Sequence, residues 1–308
     1  GLVPFHQDCF DPPNNLVKMK HHPIIKNLIG FLRLFRFELP FTAGVCVVLG
    51  EILALNTFPS LQQVVLGFLS VFFVSASALI LNDYFDVESD KNNAPDRPVP
   101  SRLVSKGEVL ALFTVVSLGG FLCGALIHLQ ALAVLLLVWA VGFLYNWRFK
   151  HLGLAGNLMV SFSVGMTFIF GGVVVEQVWG PMVLFFGVWA FLINLGEEIA
   201  ADANDLDGDR ESGSRSLAVR FGSETAIRIS SGIFLLVVLG SLVPFLVGWL
   251  DWVFIIPLLL TDAVILISTV KLLNPKRTNR RQLIRWIYLS GMGALLVFIA
   301  IKILAVLR

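Results

Sequence analysis

The chain has 308 residues, 56% of them hydrophobic and 14% charged, with a mean hydropathy of +0.83 and a net charge of +2. A soluble domain carries roughly 25% charged residues, so this composition excludes an ordinary soluble enzyme. The near-neutral balance gives no ground for a nucleic-acid partner, and Cys9, Cys46 and Cys123 lie too far apart to form a Cys-x-x-Cys zinc pattern or an evident disulfide framework.

Apolar runs long enough to cross a bilayer recur along the chain. The first, over about 28–56, begins as an interfacial stretch and becomes a span from about residue 39. Eight more follow at about 61–82, 109–127, 131–147, 155–175, 181–200, 226–248, 252–273 and 286–306. The expected fold is all-α: a polytopic membrane protein whose nine transmembrane helices form one bundle. Residues 1–27 read as an N-terminal segment outside the bundle and 28–308 as a single membrane domain. Gly1-Leu2-Val3-Pro4 lacks an initiator Met and reads as appended or leader sequence.

Connections alternate between short and long. Asn56–Gln62, His128–Gln130, Glu176–Gly180 and Gly248–Asp251 contain no Lys or Arg. Only Lys302 and Arg308 fall on their side, and every other cation sits in the N-terminal segment, the long connections or the adjoining helix ends. The positive-inside rule then places the N-terminus and the long loops in the cytoplasm and the C-terminus outside, in the cell membrane. That result requires an odd number of spans.

Two acidic stretches end the second and sixth spans and so share the cytoplasmic face. Asn82, Asp86 and Asp90 are spaced i, i+4, i+8, and Asp202, Asp205 and Asp209 i, i+3, i+7; on helices each set lines one face. Facing carboxylate rows repel unless cations lie between them. Oxygen-only donors suit Mg²⁺, which completes its shell with waters and substrate phosphates. The rows therefore predict a Mg²⁺–diphosphate site in a cytoplasm-facing cavity. An EF-hand is a poor fit, because neither the Asp/Asn–Gly spacing nor the closing Glu aligns.

At these motifs the chain resembles the UbiA-type intramembrane prenyltransferases. Asn82-Asp83-Tyr84-Phe85-Asp86-x3-Asp90 with Asp96-Arg97-Pro98-Val99-Pro100-Ser101 is similar to that family's first motif. Asp202-x2-Asp205-x3-Asp209, Ser212-Gly213 and Leu217-Ala218-Val219-Arg220-Phe221-Gly222 are similar to its second. Leu144-Tyr145-Asn146-Trp147-Arg148-Phe149-Lys150, with Gly153 and Gly156-Asn157, resembles the segment between its fourth and fifth helices. The resemblance implies Mg²⁺-dependent transfer of a prenyl group from its diphosphate, through an allylic cation, to an acceptor in the membrane.

It further implies that Asn82, Asp86, Asp90, Asp202, Asp205 and Asp209 hold two or more Mg²⁺ ions. Arg36, Arg97, Lys150 and Asn157 are expected to bind the diphosphate, with Arg36, Lys150 and Tyr145 acting in catalysis. The plainer reading of Arg36, Lys150 and Arg97 is membrane anchoring, of Tyr145 an interfacial aromatic, and of Asn157 a helix-packing amide. One departure stands out: Glu197 and Ala201 occupy places where the family often has Arg and Lys. Glu197 or Glu198 could serve the acceptor instead, the alternative being a hydrated rim.

The run from Asn82 to Ser101 resembles the archaeal ether-lipid branch, which implies a geranylgeranyl donor and a geranylgeranylglyceryl phosphate acceptor. An aromatic acceptor, such as 4-hydroxybenzoate or another quinone or chlorophyll precursor, is the alternative. A divalent-cation transporter is a more distant one, since transporters place ionisable residues near the bilayer midplane rather than at span ends. No obligate protein partner is evident.

Overall fold

A computed structural model describes residues 23–211, 213–274 and 279–306; Gly1-Leu2-Val3-Pro4, Cys9, Ser212 and Arg308 lie outside them. Nine of the helices among the described residues are long and apolar enough to cross a membrane. Their spans match the expected ones in number and order, and several run further toward the acidic end.

The first apolar run divides in two. Helix α1 (Pro23–Phe35) ends at an elbow where Arg36 takes φ +44°, and α2 (Glu38–Leu55) is the first span. A left-handed backbone is costly for a residue with a Cβ, so the surroundings must hold this turn. Helix α1 lies over the loop after the first acidic stretch, so closely that a Cβ on Gly30 would collide with Val104 Cγ2.

Local chemistry sets where the next helices begin. Ser60 and Gln63 form a reciprocal cap at the start of α3 (Leu61–Phe85), which leads into the short α4 (Val87–Asn93). Ser105 and Glu108 repeat that cap for α5 (Lys106–Ile127). Helix α6 (Leu129–Leu144) is capped by His128, whose Nδ1 accepts from the Ala131 N–H at 3.0 Å. Then come α7 (Leu154–Val174) and α8 (Pro181–Asn204), the latter opened by a proline at its first turn. Two short helices, α9 (Leu206–Glu211) and α10 (Leu217–Phe221), precede α11 (Ser223–Gly240) and α12 (Val243–Leu246), which together make the seventh span. Helices α13 (Ile255–Leu272) and α14 (Arg280–Val306) finish the bundle.

The helices pack as a closed ring. Helix α3 lies on α2 and α5, α6 on α5 and α7, α8 on α7 and α11, and α13 on α11 and α14; α14 returns to α2 and α8. Lipid supplies no hydrophobic drive between helices, so close backbone approach has to hold them. The α2–α7 crossing shows this, since a Cβ on Gly171 would run into the Val47 carbonyl oxygen. Both acidic stretches emerge at one end of this ring, as do Arg36, Lys150 and the start of α14.

Candidate active site

The first acidic row forms where α3 passes into α4. The N–H groups of Asp86, Asp90 and Ala94 donate to the carbonyls of Asn82, Asp86 and Asp90 at 3.0, 2.8 and 2.9 Å. Helical register therefore survives the junction, and Asn82, Asp86 and Asp90 follow one another along one side. Asn82 and Asp90 are buried, at 4% and 6% exposure.

Three cations reach this acidic stretch from three other segments. Arg36, at the α1–α2 elbow, donates to Asp83 Oδ1. Arg97 donates to Asp90 Oδ2 at 2.5 Å and lies 3.5 Å from Asp83 Oδ1. A tight turn aims Arg97: the Pro98 carbonyl accepts from the Leu103 and Val104 N–H groups at 2.9 and 3.1 Å. Val99 and Val104 anchor that turn in a cluster with Leu34, Ile80 and Leu81. Burial pushes the Asp90 carboxyl above its ordinary range, and the Arg97 guanidinium opposes that shift.

Lys150 arrives from the far end of α6. There the helix widens into a π-helical turn over Tyr145–Phe149, and the Lys150 N–H donates to the Tyr145 carbonyl at 2.9 Å. Such single π turns concentrate at functional sites because the extra residue re-aims the side chains beyond it. Here Lys150 donates to Asp86 Oδ2. Asn82 is part of the same knot. With its amide turned to suit its surroundings, it donates to Asp86 Oδ2 and accepts from Lys150 Nζ, each at 3.0 Å. In the opposite orientation Asn82 Nδ2 donates to Asn146 Oδ1 at 3.0 Å.

The loop after Lys150 is pinned to the second acidic stretch. Gly153 has φ +60°, and a Cβ there would collide with the Arg215 carbonyl oxygen. Beside it the Arg215 N–H donates to the His151 carbonyl at 3.0 Å. Glycine is required at this position for its conformation and for the contact.

The second row has the same construction, with α8 passing into α9. Asp205 N–H donates to Ala201 and Asp209 N–H to Asp205, both at 3.0 Å. Its side chains find different neighbours. Asp202 Oδ2 accepts from Asn157 Nδ2 of α7 at 2.8 Å, whereas Asp205 Oδ1 accepts from Arg281 of α14 at 2.6 Å. Asp209 is buried, at 2% exposure. Tyr145 packs against the start of α7, where a Cβ on Gly156 would lie 3.4 Å from its ring, one residue before the Asn157 that holds Asp202.

Among the described residues no three carboxylate, imidazole or thiol groups gather tightly enough to cage an ion. The donors nevertheless suit Mg²⁺. They are all oxygen, and Mg²⁺ is usually held by one or two carboxylates plus waters and phosphates rather than by a protein cage.

The profile of the UbiA prenyltransferase family matches residues 43–304. The chain belongs to that family. It is 31% identical over 255 residues to the digeranylgeranylglyceryl phosphate synthase of Pyrococcus abyssi, covering 82% of this chain and 90% of that one. The synthase of the same name from Methanothermobacter thermautotrophicus is 33% identical over 265 residues, covering 85% and 92%. A solved structure from work on digeranylgeranylglyceryl phosphate synthase in membranes superposes with a TM-score of 0.74 at 26% identity, covering 90% of this chain and 99% of that one. The fold is shared with a UbiA homologue from Aeropyrum pernix K1, at a TM-score of 0.76 and 19% identity over 88% of this chain and 99% of that one.

This UbiA-family chain is therefore a multi-pass membrane prenyltransferase. Its fold gathers a network of two neighbouring groups at the α3–α4 junction, Asn82 with Asp86 and Lys150, and Asp90 with Arg97, Asp83 and Arg36. Tyr145 packs on Gly156 next to the Asn157–Asp202 pair. Asp205 pairs with Arg281. Two members of the network were not singled out by their residue types. Asp83 is off the i, i+4 row yet anchors Arg36 and Arg97. Asn146 donates to the Ala78 and Gly142 carbonyls at 3.1 and 3.0 Å, tying α6 to α3 beneath Asn82. Lys91 and Arg148 remain outside it: Lys91 pairs with exposed Glu88 at 2.9 Å, and Arg148 is exposed.

Proposed function

We propose that this prenyltransferase moves a geranylgeranyl group from its diphosphate to geranylgeranylglyceryl phosphate, forming the second ether of an archaeal lipid. The observation that carries this reading is the match, over nine-tenths of their length, to relatives named digeranylgeranylglyceryl phosphate synthase. A UbiA homologue from Archaeoglobus fulgidus, 18% identical with a TM-score of 0.64 over 89% of this chain and 99% of that one, has been solved bound to GPP and Mg²⁺. That supports the use of a divalent ion with the donor.

Asn82, Asp86 and Asp90 from one row, with Asp202, Asp205 and Asp209 from the other, would hold Mg²⁺. When bound, it neutralises charge developing on the departing diphosphate and orients that group. Lys150, Arg36 and Arg97 donate to diphosphate oxygens, a task suited to charge-assisted hydrogen bonds in a half-buried pocket. Asn157 fixes Asp202 at the edge of the diphosphate site. Breaking the C1–O bond leaves an allylic cation, and the Tyr145 ring stabilises it through its π face. The acceptor's free secondary hydroxyl then attacks C1.

The acidic end faces the cytoplasm in this reading, because Lys and Arg concentrate there. The test offers purified protein radiolabelled geranylgeranyl diphosphate and Mg²⁺ with geranylgeranylglyceryl phosphate or 4-hydroxybenzoate. Ether product from the glyceryl phosphate alone is expected. Product from the benzoate alone moves the acceptor assignment to the aromatic class.

A further inference from the structure

The acids of the two rows mostly have cations or amides for partners. Glu197 does not follow that pattern. It lies on α8 two turns before the helix end, one residue from the face that carries Glu198 and Asp202. Its Oε1 is buried without a hydrogen-bond partner among the described residues, and the next residue on the helix is another acid, Glu198. A buried carboxyl oxygen left in this condition is costly, and more so within a membrane span.

A second polar pair joins α2 to α14, the two helices that close the ring against α8. Tyr288 Oη and Thr42 Oγ1 are 3.2 Å apart, and Thr42 donates to the Glu38 carbonyl at 2.8 Å. Helices α2, α8 and α14 pack against one another, so this pair and Glu197 belong to one three-helix junction.

A carboxylate oxygen accepts, so what Glu197 Oε1 lacks is a hydrogen-bond donor, which a hydroxyl supplies. We infer that Glu197 receives the acceptor's hydroxyl and acts as general base in ether formation, with Tyr288 and Thr42 closing the pocket on the α2–α14 side. The inference rests on the proposed glyceryl phosphate acceptor, which requires an alcohol nucleophile. The prenyl C1–O bond breaks and its electron pair leaves with diphosphate; the alcohol oxygen bonds to C1, and its proton passes to Glu197 and then to water.

The test uses the purified full chain with geranylgeranyl diphosphate, Mg²⁺ and geranylgeranylglyceryl phosphate. Glu197→Gln keeps shape and hydrogen-bonding capacity but removes the base. It is expected to lower kcat about 100-fold or more while leaving diphosphate affinity and Tm near wild type. The acidic limb of the kcat/KM–pH profile disappears with it, and Glu197→Asp restores part of the rate; a purely structural role moves neither. Tyr288→Phe is the second variant, expected to raise the acceptor KM about tenfold without weakening diphosphate binding. Transfer by Glu197→Gln at close to the wild-type rate, or loss of diphosphate binding in that variant, overturns the inference alone. Wild-type protein that prenylates an aromatic acceptor and not the alcohol overturns the acceptor reading and this inference together.

Discussion

Lys150 and Asp86 are joined although 64 residues separate them, and a single widened helical turn makes the junction. Tyr145–Phe149 carries one residue more per turn than an α-helix, which swings Lys150 back over the first acidic row. A positive charge is thereby fixed beside the carboxylates that are to share a diphosphate with it.

Replacing Lys150 with Met keeps the apolar stem and deletes the charge. Asp86 then loses its charged partner and the diphosphate loses a donor. Steady-state assays are expected to show kcat/KM lower by about 100-fold, as for loss of one preorganised charge-stabilising donor. Retention of full activity would place Lys150 among the membrane anchors.

Gly153→Ala tests the clasp between the π-turn loop and the second acidic stretch. The new Cβ meets the Arg215 carbonyl and is strained at φ +60°. A loss of about 1–3 kcal/mol is expected, read as a lower Tm in detergent. Activity should fall with it, because the loop sets where Lys150 stands.

Asp83→Asn probes an acid that lies off both rows. Its side chain is 3% exposed, while Arg36 beside it is 24% exposed. Solvent at Arg36 tempers the effect, so the expected loss is about 2 kcal/mol, below that for breaking a wholly buried pair. A double-mutant cycle with Arg36→Gln should recover most of it as coupling. A coupling near zero would mean that Arg36 is held by other contacts.

The spacing of Asn82, Asp86 and Asp90 was readable because helical register turns sequence distance directly into a shared face. The nine spans were readable for a similar reason, since bilayer thickness fixes the length of an apolar run. Asp83 was not. Its role comes from Arg36, 47 residues away, at an elbow that no local pattern marks. Nor was Asn146, whose donors go to backbone carbonyls, partners carried by every residue. Asp205 shares a helical face with Asp209 in sequence, and its pairing with Arg281 at the start of α14 is one that only the closing of the ring decides. The exception at Glu197 was visible as an acid in a cationic position, but the Tyr288–Thr42 pair joining α2 to α14 required the fold.

Asn146→Leu tests that hidden support. It removes two donors to α3 and α6 carbonyls and the neighbour of Asn82, leaving buried polar groups unsatisfied. A loss of about 1–3 kcal/mol is expected in detergent unfolding, with weaker Mg²⁺-dependent donor binding.

The central claim is that two acidic rows and their cations make one Mg²⁺-dependent diphosphate site. Calorimetric titration of geranylgeranyl diphosphate tests it most directly, using wild type, Asp86→Ala and Asp209→Ala with Mg²⁺ or with chelator. The account predicts binding by wild type with Mg²⁺, its loss in chelator, and affinity at least about tenfold weaker in each variant, from a row on either side. Undiminished binding in chelator, or in either variant, would contradict it.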